Sequence, residues 1–340
     1  MPANYAFRIK KNGMTTARYF LIILLPLFIS GSCLKLGPKE KINYKQEMRE
    51  FVQEISNYAK GINPDFVIIP QNGVELVSKT GEIGGQPATA YLEAIDGIGQ
   101  EDLFYGYHAD DEPTPASETD RLIYFLDLAK NHGRIKILVT DYCSTHAKID
   151  DSYRKNNAKS YISFAADHRE LDHIPTYPNP IYHENTGLIS RLQEAKNFLY
   201  LINPDNEFPD KQTFIQAVRH TNYDVLITDL FFNGEPFSPS QVEELRTKAN
   251  GGKRLLICYI SIGEAEDYRY YWQPDWRVGH PSFIVKENPD WEGNYIVKYW
   301  EDAWKNIIFG HDGSYIKKIL DAGFDGAYLD IIDAFEQFED

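Results

Sequence analysis

Gly326-Ala327-Tyr328-Leu329-Asp330 is a short apolar run that stops on a carboxylate, and the chain repeats that phrase along its length. Seven other runs share the form: Phe66–Ile69, Leu92–Ile95, Lys136–Thr140, Tyr161–Ala165, Phe198–Ile202, Val225–Thr228 and Leu255–Ile260. At or just past their ends stand Gln71 and Asn72, then Asp96, Asp141, Asp167, Asn203, Asp229 and Ser261. Runs of about four to eight apolar residues rich in Ile, Val, Tyr and Phe predict strands covered on both faces. Helical stretches lie between most of them, among them Glu118–Lys130, Lys211–His220 and Pro239–Ala249. Strand–helix alternation repeated eight times predicts a (β/α)8 barrel, an α/β fold whose site lies at the C-terminal ends of the strands. The polar residues then converge on one face, which points to an enzyme.

The order of elements is unusual. A helix, Tyr44 to Lys60, with Phe51, Val52 and Ile55 on one face, precedes the first strand. The last strand is followed by no helix. A barrel of this order closes if the first helix covers the last strand, so the sequence predicts a circularly permuted TIM barrel. One domain, 44–340, is expected, with Pro175 to Pro180 as a Pro-rich seam.

Residues 1–33 have the form of a lipoprotein signal peptide. Lys10, Lys11 and Arg18 precede an apolar stretch, Tyr19 to Ile29, and Ser30-Gly31-Ser32-Cys33 follows it. That stretch is shorter than the ~20 residues of a membrane span. Cys33 is the expected lipid-bearing residue and 34–43 a tether. This places the protein in a bacterial cell envelope, lipid-anchored, with the membrane as a partner. Cys143 and Cys258 are expected to be buried free thiols. Hydrophobic content of 43% with 14% aromatics supports a large core. The net charge of −15 argues against nucleic acid as a partner and favours a neutral or cationic ligand.

Three stretches are dense in carboxylates and aromatic rings: Ile95–Tyr105, Ile257–Trp272 and Gly323–Phe335. Strand-end carboxylates ringed by Tyr and Trp suit sugar chemistry, because aromatic faces stack on sugar C–H surfaces and paired carboxylates supply acid and nucleophile or base. Trp272, Trp276, Trp291, Trp300 and Trp304 are divided between sugar subsites and packing. Nine histidines show neither His-x-His nor His-Glu-x-x-His, so no metal and no cofactor are expected, and His108 and His168 read as ordinary polar side chains.

The motifs Ser261-Ile262-Gly263-Glu264-Ala265-Glu266-Asp267-Tyr268-Arg269, Glu287-Asn288-Pro289 with Trp291, Asn294-Tyr295, Lys298-Tyr299-Trp300 and Gly323 to Phe335 resemble the endo-α-1,4-polygalactosaminidase family, glycoside hydrolase family 114. Pro70-Gln71-Asn72-Gly73 and Gly99-Gln100-Glu101-Asp102-Leu103-Phe104-Tyr105 match it as well. The resemblance covers nearly all of 45–340. In such relatives the half like 221–340 comes first and the half like 45–175 follows, the reverse of the order here. The resemblance implies an exported endo-acting hydrolase of an amino-sugar polysaccharide, with Asp330 as nucleophile and Glu101 as general acid/base. Asp96 and Asp102 compete with Glu101 for its role. Asp229, Glu264, Tyr259, Asp141, Tyr105, Gln71, Asn72 and Asp96 are the expected cleft residues. Glu266, Asp267 and Arg269 are either cleft residues or a salt-bridge cluster, and Asp333 reads as a turn cap. A non-catalytic polysaccharide-binding lipoprotein on the same scaffold is the alternative.

Overall fold

The structure, a computed structural model, describes residues 41–339. Cys33 and the signal-like stretch lie outside the described residues. Ile42–Asp340 form one compact unit by contact.

Eight parallel strands carry the core: β1 (Val67–Pro70), β2 (Gly97–Glu101), β3 (Lys136–Tyr142), β4 (Ile162–Ala166), β5 (Leu199–Tyr200), β6 (Val225–Asp229), β7 (Leu255–Ser261) and β8 (Gly326–Asp330). They form two sheets, one of five strands in the order β1-β8-β7-β6-β5 and one of three in the order β2-β3-β4. Within each sheet the register is continuous: Val67 pairs with Gly326, Asp330 with Ser261, Asp229 with Tyr259, and Glu101 with Thr140. Between β1 and β2 the sheets meet through one isolated parallel bridge, Gln71 to Gly99. Asn72 N–H donates to the Gly99 carbonyl at 2.8 Å and Asp96 N–H to the Ile68 carbonyl at 2.9 Å. Between β4 and β5 there is no ladder; Ile202 N–H donates to the Leu171 carbonyl at 3.0 Å, above the strands. The circular order is that of a (β/α)8 barrel, with two seams in place of unbroken closure.

Helices pack outside: α1 (Tyr44–Ile62), α2 (Thr89–Ala94), α3 (Ala116–His132), α4 (His146–Ala158), α5 (Lys211–Arg219), α6 (Pro239–Leu245), α7 (Asp302–Ile308) and α8 (Tyr315–Ala322). The side chain of Asn43 caps α1 by accepting from Gln46 N–H, and Met48, Phe51, Val52, Ile55 and Ala59 form its buried stripe. That stripe packs against α2 and α8, so α1 covers the groove between β8 and β1. None of the described helices is long and apolar enough to cross a membrane. Cys143 and Cys258 are buried and free.

One expected strand lies elsewhere. The run Leu92–Ile95 is not a strand: Tyr91 and Leu92 are the buried face of α2, and the second strand is Gly97–Glu101. Its glycines hide it from a hydrophobicity pattern, and they have a reason. A side chain at Gly99 would fall on the hydroxyl and ring of Tyr328, which fills the barrel centre. Tyr328 packs tilted against Tyr200 with ring centroids 5.2 Å apart, and Tyr200 donates to Gln71 Oε1 at 2.8 Å. The shift also moves Asp96 to the opposite end of the barrel from Glu101.

Gly99→Ala should therefore destabilise the protein by about 1–3 kcal/mol, the usual range for overpacking. Adding Tyr328→Phe should recover part of the loss, because the Tyr328 hydroxyl is buried without a partner. Urea unfolding of both variants measures this; equal stability of Gly99→Ala and wild type would refute the close fit.

Candidate active site

A cavity of about 690 Å³ opens at the C-terminal ends of the strands. Its floor is made by strand-end residues: Gln71 and Asn72 after β1, Glu101 ending β2, Tyr200 ending β5, Asp229 ending β6, Tyr259 on β7 and Asp330 ending β8. Its walls come from loops. A three-stranded antiparallel insertion (Glu264–Glu266, Ile284–Glu287, Asn294–Val297) contributes Glu264, Glu266 and Asn294. Tyr268 and Trp291, more than half exposed, and Tyr270, less exposed and stacked on Phe231, supply aromatic side chains at the rim.

Two carboxyls at the floor are held differently. Asp330 accepts from the Tyr259 hydroxyl at 2.6 Å and from Ile331 N–H at 2.9 Å. Burial, and next the Glu101 charge, push its pKa up to about 8 despite the Tyr259 bond. Glu101 accepts from the Tyr142 hydroxyl and, at 3.1 Å, from Asn72 Nδ2. Asn72 reaches it from a left-handed conformation (φ 61), which Asn tolerates better than most residues, and its Oδ1 takes the Glu101 N–H at 3.0 Å. In this arrangement Asp330 holds its proton well above the ordinary carboxyl range, because its burial disfavours the charged form and the Glu101 charge adds to that.

The remaining expected residues divide. Gln71, Asn72, Asp229, Tyr259 and Glu264 line the cavity. Glu264 is fixed by Asn288 Nδ2 at 2.7 Å and Asn294 Nδ2 at 3.2 Å, and burial raises its pKa. Asp229 is tied to Arg269 at 2.7 Å, and Arg269 also holds Glu266 at 2.6 Å. The Glu266–Arg269 pair is thus both salt-bridge cluster and cavity wall, whereas Asp267 does not line the cavity.

Asp141, Tyr105 and Asp96 do not line it, contrary to the sequence expectation. The Asp141 carboxylate is fully buried and accepts from Phe104 N–H, Tyr105 N–H, Ser152 Oγ and Asn156 Nδ2, so it ties the loop after β2 to α4. The Tyr105 hydroxyl donates to Asp151 at 2.7 Å. Asp96 accepts from Ile68 N–H and pairs with Lys60 at 2.9 Å, at the base of the barrel. Asp102 is engaged by Arg169 at 3.1 Å, which leaves Glu101 as the floor carboxylate of β2.

Residues missed from the sequence include Tyr142, Tyr200 and Arg169, which line the cavity. The Arg169 guanidinium lies 3.8 Å from the Tyr142 ring centroid, against the phenol that donates to Glu101. Asp333, read as a turn cap, also lines the cavity, its pKa pushed up to about 7 by burial and by Glu336. Of the tryptophans, Trp291 faces the cavity. Trp304 is buried, its indole N–H donating to the Ile262 carbonyl at 2.8 Å, and Trp272 and Trp276 pack together.

Residues 200–340 match the model of glycoside-hydrolase family GH114. That match covers less than half of the chain. It spans β5 to β8 and the insertion, including Asp229, Tyr259, Glu264, Arg269 and Asp330. An uncharacterized protein of Methanocaldococcus jannaschii, MJ1477, is 39% identical over 153 residues, 45% of this chain and 41% of its own. Uncharacterized proteins of Deinococcus radiodurans and Thermotoga maritima are 38% and 37% identical over 128 and 119 residues. They share 38% and 35% of this chain, and 39% and 35% of their own. The chain thus spans about two fifths of the length of the curated relatives it matches.

The Asp330 proton has a measurable consequence. The unfolded side chain ionises near pH ~4, whereas the folded one holds its proton to about 8. Between these values the native state binds the extra proton, so this group's contribution to stability falls as pH rises through that window. Asp330→Asn removes this dependence. Its melting temperature relative to wild type should be higher at about pH 8 than at about pH 5. A difference that stays flat across the window would show that Asp330 ionises normally.

Proposed function

We propose that this protein is an exported, endo-acting glycoside hydrolase of an amino-sugar polysaccharide such as α-1,4-linked galactosamine polymer, with Asp330 and Glu101 as its acid pair. The observation that carries the reading is the placement of these two carboxyls on one cavity floor, with the Asp330 pKa raised to about 8. Glycoside hydrolysis needs one carboxyl to protonate the leaving oxygen and one carboxylate to attack the anomeric carbon or activate water. Two carboxyls on one floor supply both groups. The resemblance makes Asp330 the nucleophile and Glu101 the acid/base. Before substrate binds, the proton rests on Asp330, so substrate entry has to move it before that order of roles can operate. The exposed rings of Tyr268, Tyr270 and Trp291 offer stacking faces to successive sugars, and the carboxylate-rich walls favour a cationic, partly deacetylated chain.

Circular permutation belongs to the same proposal. This chain and its relatives match over similar, minor shares of each, as a collinear alignment must when two halves have exchanged order. The packing of α1 between α8 and α2 supports it.

Asp330→Asn and Glu101→Gln should each lower turnover of amino-sugar polymers at least about a hundredfold, with unchanged circular dichroism. A panel of polymers, scored by release of new reducing ends, measures this and identifies the sugar. Azide rescue of one variant identifies the nucleophile. Near-wild-type activity of both variants would discard the assignment. Export and lipid attachment at Cys33 rest on the sequence pattern. Cys33→Ala should shift the protein from membrane to soluble fractions, and unchanged membrane association would count against the lipid.

A further inference from the structure

The loop that leaves β4 carries a second cluster with its own chemistry. His168 Nδ1 lies 2.8 Å from Asp172 Oδ1, and His173 Nδ1 lies 3.0 Å from the same oxygen. The three potential ligand atoms are all within 4.8 Å of one another. The two imidazoles meet edge to face, with centroids 4.9 Å apart. Asp172 is buried, His173 half-buried and His168 exposed, so the cluster has a closed side and an open one. The other nitrogen of His173, Nε2, lies 3.0 Å from Asp167 Oδ1.

This last contact discriminates. A metal-bound imidazole commonly donates its second ring N–H to a carboxylate, which fixes its tautomer and orientation. Asp167 is placed to accept that bond while His173 Nδ1 faces the shared centre. Two carboxylates and two neutral imidazoles sum to a double negative charge, which a divalent ion offsets. Two nitrogens and one oxygen suit zinc, whereas calcium and magnesium prefer all-oxygen shells. Tetrahedral bonds of about 2.0 Å would space the ligand atoms by roughly 3.3 Å, so the cluster needs little rearrangement.

We propose that His168, Asp172 and His173 bind one zinc ion, with Asp167 orienting His173 and water completing the sphere. The consequence lies in the residues between the ligands. Arg169, Glu170 and Leu171 line the main cavity. Leu171 has a left-handed backbone (φ 51), and Arg169 backs the phenol that donates to Glu101. A zinc clip across positions 168 and 172–173 pins both ends of that cavity wall, so Arg169 is a positioning residue held by the metal. The spacing His-x3-Asp-His in a turn is none of the familiar metal patterns, which is why His168 read as ordinary.

The test does not depend on the hydrolase reading, because its readout is metal. The full-length protein, incubated with excess zinc at neutral pH and dialysed, should retain one equivalent by elemental analysis. The His168→Ala/His173→Ala double variant and Asp172→Asn should retain none, and Asp167→Asn should bind about 10–100-fold more weakly. Cobalt should give the visible absorption of a tetrahedral site in wild type and not in the double variant. Circular dichroism and melting curves establish that the variants are folded; a variant that unfolds is replaced by His168→Gln, which removes one ligand at the exposed edge. No zinc retained by wild type, or equal zinc in wild type and the folded variants, overturns the proposal.

Discussion

Two carboxyls, Asp330 and Glu101, stand on one poorly solvated floor at the mouth of this barrel, and the cost of burying charge there governs how Asp330 is held. Left alone, such a pair would separate or draw in water. Here each is restrained by its own set of donors, Tyr259 and the Ile331 amide for Asp330, Tyr142 and Asn72 for Glu101. Burial, and next the Glu101 charge, raise the Asp330 pKa to about 8. Tyr200 and Tyr328, both buried with their rings tilted against each other, lie beneath.

The scaffold was legible because strands buried on both faces leave continuous apolar runs. Seven of the eight runs lie within one or two residues of their strands. The eighth failed for a steric reason. Gly99 must clear the Tyr328 ring and Gly97 sits tight against Leu192 and the Lys136 carbonyl, so β2 is glycine-rich, and the apolar residues nearby belong to a helix. Glu101 was nevertheless found, because the resemblance rested on the motif around it and not on the strand boundary.

Site membership was less legible, since a strand-end carboxylate has two possible uses. Asp229 and Asp330 face the cavity, while Asp141 sits at an equivalent position and turns its lone pairs to the Phe104 and Tyr105 amides. Nothing in a one-dimensional pattern separates these, because the difference is the path of the following loop. The same holds for Arg269, whose ties to Asp229 and Glu266 span 40 residues and three. Removing one member of such a buried set typically costs about 3–5 kcal/mol, so that network is as much a fold determinant as a cleft wall. The grouping of Asp167, His168, Asp172 and His173 was not legible for a related reason: the turn brings together nitrogens that the spacing alone does not.

The seams carry one more implication. Glu101 ends a strand of the three-stranded sheet and Asp330 a strand of the five-stranded one. Main-chain ladders are the stiff members of such a molecule, and they run within the sheets, not across the joints. Across the joints stand a single bridge with the Asn72 and Asp96 contacts on one side, and loop contacts on the other. Between the strands that end at Glu101 and Asp330 the main-chain ladder is thus interrupted once, where β1 meets β2. If the two residues act as the proposed pair, the width set at that joint decides whether water fits between carboxyl and sugar, and hence whether the product keeps or inverts its configuration.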